Sequence, residues 1–204
     1  MRPKKRQLTV DAQDARDLVG REVVVAVCGG IAAYKVCTVV SRLVQRGAGV
    51  TVAMTEAATR FVTPLTFQSL TLRKVFTSTW DAEGYHDPQH LRLTEGADLF
   101  IVAPATANMI GKIAHGIADD LVSTMVMSTA CPVLLAPAMN TRMWDNPIVQ
   151  ANVKTLSRAG YALVGPNAGW LACRTVGAGR MSEAEEVVAA AVGMLGKSPR
   201  RPGA

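Results

Sequence analysis

The chain has 204 residues, of which 49% are hydrophobic and 19% charged, a composition that suits one globular domain and excludes a disordered chain. Its formal net charge of +6 arises at the two ends, because residues 7–196 contain 15 basic and 16 acidic side chains. This nearly neutral body, with only 5% aromatic residues, predicts neither a nucleic-acid partner nor a membrane partner.

Strand and helix patterns alternate along the chain. Residues 1–20 are a polar extension, residues 21–196 form the predicted domain, and residues 197–204 are a basic tail. Apolar runs predict strands at Glu22–Cys28, Val50–Met54, Asp98–Ala103, Val133–Ala136 and Tyr161–Gly165. Helical spacing predicts helices at Ile31–Gln45, Glu56–Leu70 (interrupted at Pro64), Thr106–His115, Leu121–Thr129, Pro147–Ala159 and Glu183–Leu195. Residues 78–90 and 166–181 are predicted as loops.

This alternation predicts an α/β fold, a single-domain Rossmann-like (flavodoxin-like) open parallel sheet with helices on both faces. Such sheets bind ligands at the carboxyl ends of their strands. The segments that follow predicted strands are Gly29-Gly30, Thr55, Pro104–Asn108 and Pro137–Asn140. We therefore expect these segments to converge on one site.

The cysteine pattern bears on metals and on the cellular compartment. The four cysteines show no metal-ligand spacing and no close pairing, so we expect no metal and reduced thiols. The N-terminus lacks the apolar stretch of a signal peptide. The uncharged run at residues 121–141 contains Pro132 and Pro137, which favours a buried helix and strand over a membrane span. Together these features predict a cytoplasmic protein.

The Gly29-Gly30-Ile31 turn is the first candidate binding motif. Small residues at a helix start let backbone N–H groups approach a phosphate, although a tight turn that needs glycine gives the same pattern. The dinucleotide fingerprint and the Walker sequence are both absent, which favours a mononucleotide such as FMN over NAD. Thr55 ends a strand with a hydroxyl that suits phosphate or flavin contact, and Thr106 stands at a natural N-cap position.

Three further residues are candidates for chemistry, each with a plainer alternative. His90 lies in a polar loop, where it is either an acid–base group or simply solvated. Asn140 follows a strand and is either a ligand or the cap of the next helix. Cys173 lies in a glycine-rich segment, an unusual place for a cysteine that only packs.

Three segments carry a resemblance to a known family. They are Gly29–Lys35 (GGIAAYK), Pro137–Trp144 (PAMNTRMW) and Leu171–Met181 (LACRTVGAGRM). Together they resemble the signature stretches of the flavin-dependent cysteine decarboxylases, in particular those that act on phosphopantothenoylcysteine, over about residues 20–195. One departure is Arg174, where the family commonly has glycine.

The resemblance implies site residues position by position. The implied catalytic residues are His90, Asn140 and Cys173, with Cys173 as the acid in a flap over the substrate. The implied substrate contacts are Asn140, Met143 and Ala172. The implied FMN contacts are Gly30, Ile31, Ala32, Thr55, Thr106, Ala107, Asn108, Met109 and Ala138.

The resemblance also implies an activity and partners. It implies FMN-dependent decarboxylation of 4'-phosphopantothenoylcysteine to 4'-phosphopantetheine in coenzyme A biosynthesis, by a homo-oligomer that is a trimer or a trimer-based dodecamer. A separate phosphopantothenate–cysteine ligase is expected to supply this small-molecule substrate, unless the chain is a fragment of a fused enzyme. The alternatives are a peptidyl-cysteine decarboxylase, a non-enzymatic flavoprotein that regulates a phosphatase, and a flavin prenyltransferase of related fold.

Overall fold

The computed structural model describes residues 16–80 and 94–197, and its centre is a parallel sheet. Six strands pair in the order β3-β2-β1-β4-β5-β6. They are β1 (Glu22–Val27), β2 (Gly49–Met54), β3 (Val75–Phe76), β4 (Leu99–Ala105), β5 (Val133–Pro137) and β6 (Ala162–Leu163). This order is that of doubly wound nucleotide-binding sheets, so the predicted Rossmann-like class is confirmed. The two-residue edge strand β3 is too short to have a sequence pattern of its own.

Strand β1 lies at the centre of the sheet, and every residue that follows Glu22 in it is apolar. Val23 pairs with Val50 of β2 on one side and with Leu99 of β4 on the other. Its residues from Val23 to Val27 are all buried. Burial on both faces explains the continuous apolar run, which is typical of a central strand in a parallel sheet.

Helices cover both faces of the sheet. One face carries α1 (Ala33–Gln45), α3 (Pro64–Thr71) and α8 (Ala184–Leu195), and the other carries α4 (Ala107–Ala114), α5 (Leu121–Ser128) and α7 (Pro147–Arg158). The short helices α2 (Glu56–Thr59) and α6 (Thr141–Trp144) follow the ends of β2 and β5. Among residues 16–80 and 94–197, no helix has the length and apolarity needed to span a membrane.

Packing extends into the segment predicted as a polar extension. Leu18 is buried in the core under α1, and its amide donates to the carbonyl oxygen of Arg46 over 3.1 Å. The Arg46 guanidinium binds the Asp17 carboxylate, with Nη2 and Oδ2 2.6 Å apart. Residues 16–20 therefore pack against the C-terminal end of α1. The proposed domain limits at residues 21 and 196 stay a prediction.

The prediction of a loop at residues 166–181 is wrong. These residues form an antiparallel hairpin of β7 (Asn167–Trp170) and β8 (Val176–Arg180). Its strands are rich in glycine and alanine, which have low strand propensity, so the local sequence gives no signal. Pairing between the two strands and packing against the end of β5 decide the structure instead.

Candidate functional site

A cavity of about 950 Å³ opens at the carboxyl ends of the central strands. Its wall is formed by the segments after β1, β2, β4 and β5 and by the β7–β8 hairpin. The volume lies at the upper end of the range that small-molecule and cofactor sites occupy. The predicted convergence of the post-strand segments is therefore observed.

Two adjacent glycines at the end of β1 have different surroundings. A Cβ on Gly29 would overlap the side chain of Ala57, so this glycine allows α2 to approach β1. A Cβ on Gly30 would lie 3.6 Å from Cγ2 of Thr106, with no closer neighbour. Gly30 therefore borders open cavity space, which its missing side chain leaves to a ligand.

Several helices point their N-termini at this cavity. The hydroxyl of Thr55 accepts a hydrogen bond from the amide of Ala58 at the start of α2, over 3.2 Å. The hydroxyl of Thr106 does the same for the amide of Met109 at the start of α4, over 3.3 Å. Helix α1 begins beside Gly30. The dipoles of these helices give this part of the cavity a positive potential that suits a phosphate.

A charged cluster around Lys112, which could not be recognised in the sequence, also borders the cavity. The ammonium of Lys112 is 2.6 Å from a carboxylate oxygen of Asp119 and 2.6 Å from one of Asp120. Burial disfavours the charged ammonium, but the hydrogen bonds to both carboxylates outweigh this and raise the pKa of Lys112. Lys112 and Asp120 both line the cavity. The sequence has no local pattern that indicates this cluster, because Lys112 meets the two aspartates only across the turn between α4 and α5.

Cys28 lies beneath this cluster at the end of β1. Burial raises the pKa of its thiol to about 12, and the nearby charge of Asp120 acts in the same direction. The thiol is therefore neutral under physiological conditions, which fits a packing role for a cysteine at the cavity floor.

Asn140 begins the short helix α6. Its side-chain oxygen accepts a hydrogen bond from the amide of Met143 over 2.8 Å, so the capping interpretation of Asn140 is correct. Capping uses only the oxygen. The side-chain Nδ2 of Asn140 has no hydrogen-bond partner among the residues that the structure describes, and Asn140 and Met143 both line the cavity. The amide can therefore cap α6 and donate to a ligand at the same time.

The hairpin closes the cavity through a glycine-lined junction. Gly177 and Gly179 of β8 face the segment Met139–Thr141, and a Cβ on Gly177 would overlap the hydroxyl of Thr141. That hydroxyl is buried and has no hydrogen-bond partner among the described residues. At the far end of β8, the carboxylate of Glu183 binds the Lys35 ammonium over 3.1 Å and also pairs with Arg180. The hairpin is thus fixed to both β5 and α1.

The tip of the hairpin is a three-residue loop, Ala172 to Arg174. The amide of Arg174 donates to the carbonyl oxygen of Leu171 over 2.9 Å. The amide of Leu171 donates to the carbonyl oxygen of Thr175 over 2.8 Å. Arg174 has a φ of +64°, a left-handed conformation that favours glycine at this position of such loops. The backbone explains why glycine is the expected residue there. Cys173 is exposed at the tip and lines the cavity.

The cavity brings together every predicted site residue that the structure describes. Its lining includes Gly30, Ile31, Ala32, Thr55, Thr106, Ala107, Asn108, Met109, Ala138, Asn140, Met143, Ala172 and Cys173. The predicted catalytic residue His90 lies outside the described residues. Lining residues that the sequence analysis did not single out include Lys35, Lys112, Asp120, Trp170 and Arg180. Residues 16–80 and 94–197 contain no group of side chains arranged to hold a metal ion.

Sequence comparison agrees with this architecture. The sequence model of the flavoprotein family matches residues 11–196. The coenzyme A biosynthesis bifunctional protein CoaBC of Bacillus subtilis (strain 168) is 49% identical over 171 residues, which make up 84% of this chain and 42% of that protein. The chain therefore spans less than half the length of that relative.

Solved structures share the fold over nearly their whole length. The FMN-dependent cysteine decarboxylase SpaF superposes with a TM-score of 0.76 at 30% identity, covering 88% of this chain and 99% of SpaF. A mutant PPC decarboxylase complexed with pantothenoylaminoethenethiol superposes with a TM-score of 0.74 at 28% identity, covering 84% of this chain and 96% of that one.

Proposed function

Since the chain belongs to the flavoprotein family, we propose that it is an FMN-dependent decarboxylase that converts 4'-phosphopantothenoylcysteine to 4'-phosphopantetheine. The observation that carries the proposal is a single cavity with two kinds of wall. The lining contains small residues and helix starts, which we assign to one end, and Asn140, Met143 and the Cys173 loop, which we assign to the other. This division suits a cofactor at one end and a substrate at the other.

The residues at the first end fit FMN. Helix starts capped by Thr55 and Thr106 offer amides to a phosphate, and Gly30 leaves open space beside them. The small side chains of Ala32, Ala107 and Ala138 leave room for a flat ring. The FMN contacts that we propose are Gly30, Ile31, Ala32, Thr55, Thr106, Ala107, Asn108, Met109 and Ala138.

The residues at the second end fit a cysteine-type substrate. When bound, FMN supplies the oxidation of the substrate's CH2–SH group and later returns the two electrons. The carboxylate is then β to a C=S group. The C–C bond to the carboxylate can break, CO2 leaves, and the electron pair of that bond stays on the substrate as an enethiolate. We assign the Nδ2 amide of Asn140 to the carboxylate end of the substrate, with Met143 and Ala172 as packing contacts.

Two residues are assigned to proton transfer. We assign Cys173 as the acid that protonates the enethiolate, because its thiol is exposed at the loop tip and lines the cavity. We assign His90 as a second acid–base group, because the resemblance to the family implies a catalytic histidine at this position.

The presence of Cys173 favours this reaction over decarboxylation of a C-terminal peptidyl cysteine that stops at the enethiol. An acid at the cavity allows the second half of the reaction, in which the enethiolate becomes a saturated thiol. Retention of Asn140 and Cys173 in one cavity also favours an enzyme over a purely regulatory flavoprotein.

The proposed setting of the enzyme follows from this chemistry. A ligase that joins cysteine to phosphopantothenate must supply the substrate. We further propose a trimer or trimer-based homo-oligomer, to be measured by light scattering, and a cytoplasmic location. The location is supported by the absence of disulfides among the four cysteines, all of which are described.

Two measurements on the purified protein test the proposal. Chromatography of the released cofactor should give FMN, and FAD or no flavin would contradict the cofactor assignment. Incubation with phosphopantothenoylcysteine should give the mass of phosphopantetheine, with a peptide ending in cysteine as the comparison substrate. His90→Asn should abolish turnover while bound flavin stays largely intact. A near-normal rate in that variant would refute the His90 assignment.

A further inference from the structure

We propose that Thr175 is a positioning residue for Cys173, whose hydroxyl holds the thiol and stabilises the thiolate that proton donation leaves behind. The Sγ of Cys173 and the Oγ1 of Thr175 are 3.1 Å apart, within hydrogen-bond distance for sulfur. The inference rests on the proposed function, because it takes Cys173 to be the acid.

The loop backbone places the two side chains together. The amide of Leu171 pairs with the carbonyl oxygen of Thr175, which closes the three-residue loop with Cys173 at its centre. The left-handed backbone at Arg174 then turns the chain back into β8. Because threonine is β-branched, its χ1 angle has few choices, so the hydroxyl stays beside the thiol at little further entropic cost.

The chemistry decides which group donates. A neutral thiol and a hydroxyl can each donate to the other. A thiolate has no hydrogen, so after proton transfer only the hydroxyl of Thr175 can donate. The arrangement therefore favours the charged state of Cys173 that follows its catalytic step.

The proton balance of this step is simple. The S–H bond of Cys173 breaks and a C–H bond forms on the substrate enethiolate. The proposed cofactor would supply the second hydrogen as a hydride. The negative charge moves to Sγ, where the hydroxyl of Thr175 donates to it. Both side chains are exposed, so the thiolate regains its proton from water before the next turnover.

No second donor to this thiol is found in the described part of the chain. Thr175 is the one hydrogen-bond partner of the Cys173 side chain there. The Arg174 guanidinium makes no hydrogen bond or ion pair with a described residue, so it contributes at most an unbound neighbouring charge. Removal of the Thr175 hydroxyl therefore tests how much this hydrogen bond contributes to stabilising the Cys173 thiolate.

The test compares Thr175→Val, which keeps the branched shape and loses the hydroxyl, with Thr175→Ser, which keeps the hydroxyl. In anaerobic single-turnover reactions, the rate of phosphopantetheine formation is measured relative to CO2 release in the same sample. We expect this ratio to fall about tenfold in Thr175→Val and to stay near that of the wild type in Thr175→Ser. Thr175→Ala repeats the comparison should Thr175→Val fold poorly.

A second readout does not depend on turnover. The rate of iodoacetamide alkylation of Cys173, followed by peptide mass spectrometry at one fixed pH, reports the thiolate fraction. Thr175→Val should slow it relative to Thr175→Ser, while buried Cys28 stays unreactive in both. Equal alkylation rates and equal product ratios in the two variants would overturn the inference, as would a serine variant as slow as the valine one.

The two proposals can fail separately. Absence of flavin and of CO2 release in the wild type contradicts the proposed function, whereas the alkylation comparison still tests the hydrogen bond. Normal CO2 release with an unchanged product ratio in Thr175→Val contradicts only the role of Thr175.

Discussion

The amide nitrogen of Met139 donates to the carbonyl oxygen of Gly179 over 2.9 Å. This bond ties the segment that carries Asn140 to the hairpin that carries Cys173. Gly179 has a φ of +125°, and a Cβ at this position would overlap the carbonyl oxygen of Met139. Direct backbone contact thus sets where the two predicted catalytic groups stand relative to each other.

Gly179→Ala should therefore lower the free energy of unfolding by more than backbone strain alone explains. A matched control is Gly116→Ala, because Gly116 has a φ of +68° and a Cβ there would meet nothing within 4 Å. We expect the control to lower the free energy of unfolding by about 1 kcal/mol for its φ, and Gly179→Ala to lower it by about 1–3 kcal/mol more, for the overlap together with its larger φ. Urea unfolding of both variants measures the difference, and equal costs would contradict the tight junction.

Gly30→Ala should separate folding from cofactor binding. A Cβ there has no neighbour closer than 3.6 Å, so the free energy of unfolding of the flavin-free protein should change by less than about 0.5 kcal/mol. The methyl group enters the space proposed for FMN, so the affinity for added FMN, measured by fluorescence quenching, should fall at least about tenfold. Unchanged FMN affinity would remove Gly30 from the proposed contacts.

Gly29→Ala is the matched comparison. Its Cβ would overlap the side chain of Ala57, and it would lie 2.9 Å from the backbone carbon of that residue. We expect it to destabilise the flavin-free protein by about 1–3 kcal/mol, unlike the neighbouring substitution at Gly30.

Stability should fall at alkaline pH through Cys28. Burial, with a smaller effect of Asp120, raises the pKa of this thiol from 9.0 to about 12. Above the unfolded-state pKa the unfolded chain ionises while the folded thiol stays neutral, so the free energy of unfolding drops as pH rises towards the folded-state value. The expected slope is about 1.4 kcal/mol per pH unit. In Cys28→Ala, the free energy of unfolding should fall less steeply with pH, because the contribution of this thiol is gone. Identical pH profiles for the two proteins between pH 9 and pH 11 would contradict the assignment.

Arg174→Gly should stabilise the protein, because the left-handed backbone at this position suits glycine. Leu72→Gly is a control far from the cavity, since Leu72 ends α3 with a φ of +56° and is exposed. We expect both variants to raise the free energy of unfolding by about 0.5–1 kcal/mol. A loss of stability in Arg174→Gly alone would show that the guanidinium makes a contact that offsets the strain.

The parallel sheet and the converging segments could be predicted from the sequence because each depends on a local signal. The apolar run at Glu22–Cys28 identifies a central strand, and the glycines after it identify a turn. Parallel strands place their carboxyl ends at one edge, so the position of the cavity follows from the alternation alone.

The hairpin and the Lys112 cluster could not be predicted, because long-range contacts decide them. Strand β8 contains glycine at positions where a side chain would overlap Met139 or Thr141, and that need is invisible without the partner segment. Lys112 lies on a helix, like many solvated lysines, and only the fold brings it against Asp119 and Asp120.

The two glycines of β8 meet different kinds of atoms, and this difference should govern how the sequence can change over evolution. A Cβ on Gly177 would overlap the side chain of Thr141, which a smaller residue at position 141 would relieve. A Cβ on Gly179 would overlap a backbone carbonyl oxygen, which no substitution removes. Position 177 is therefore free to covary with position 141, whereas glycine at position 179 is fixed whatever its neighbours become.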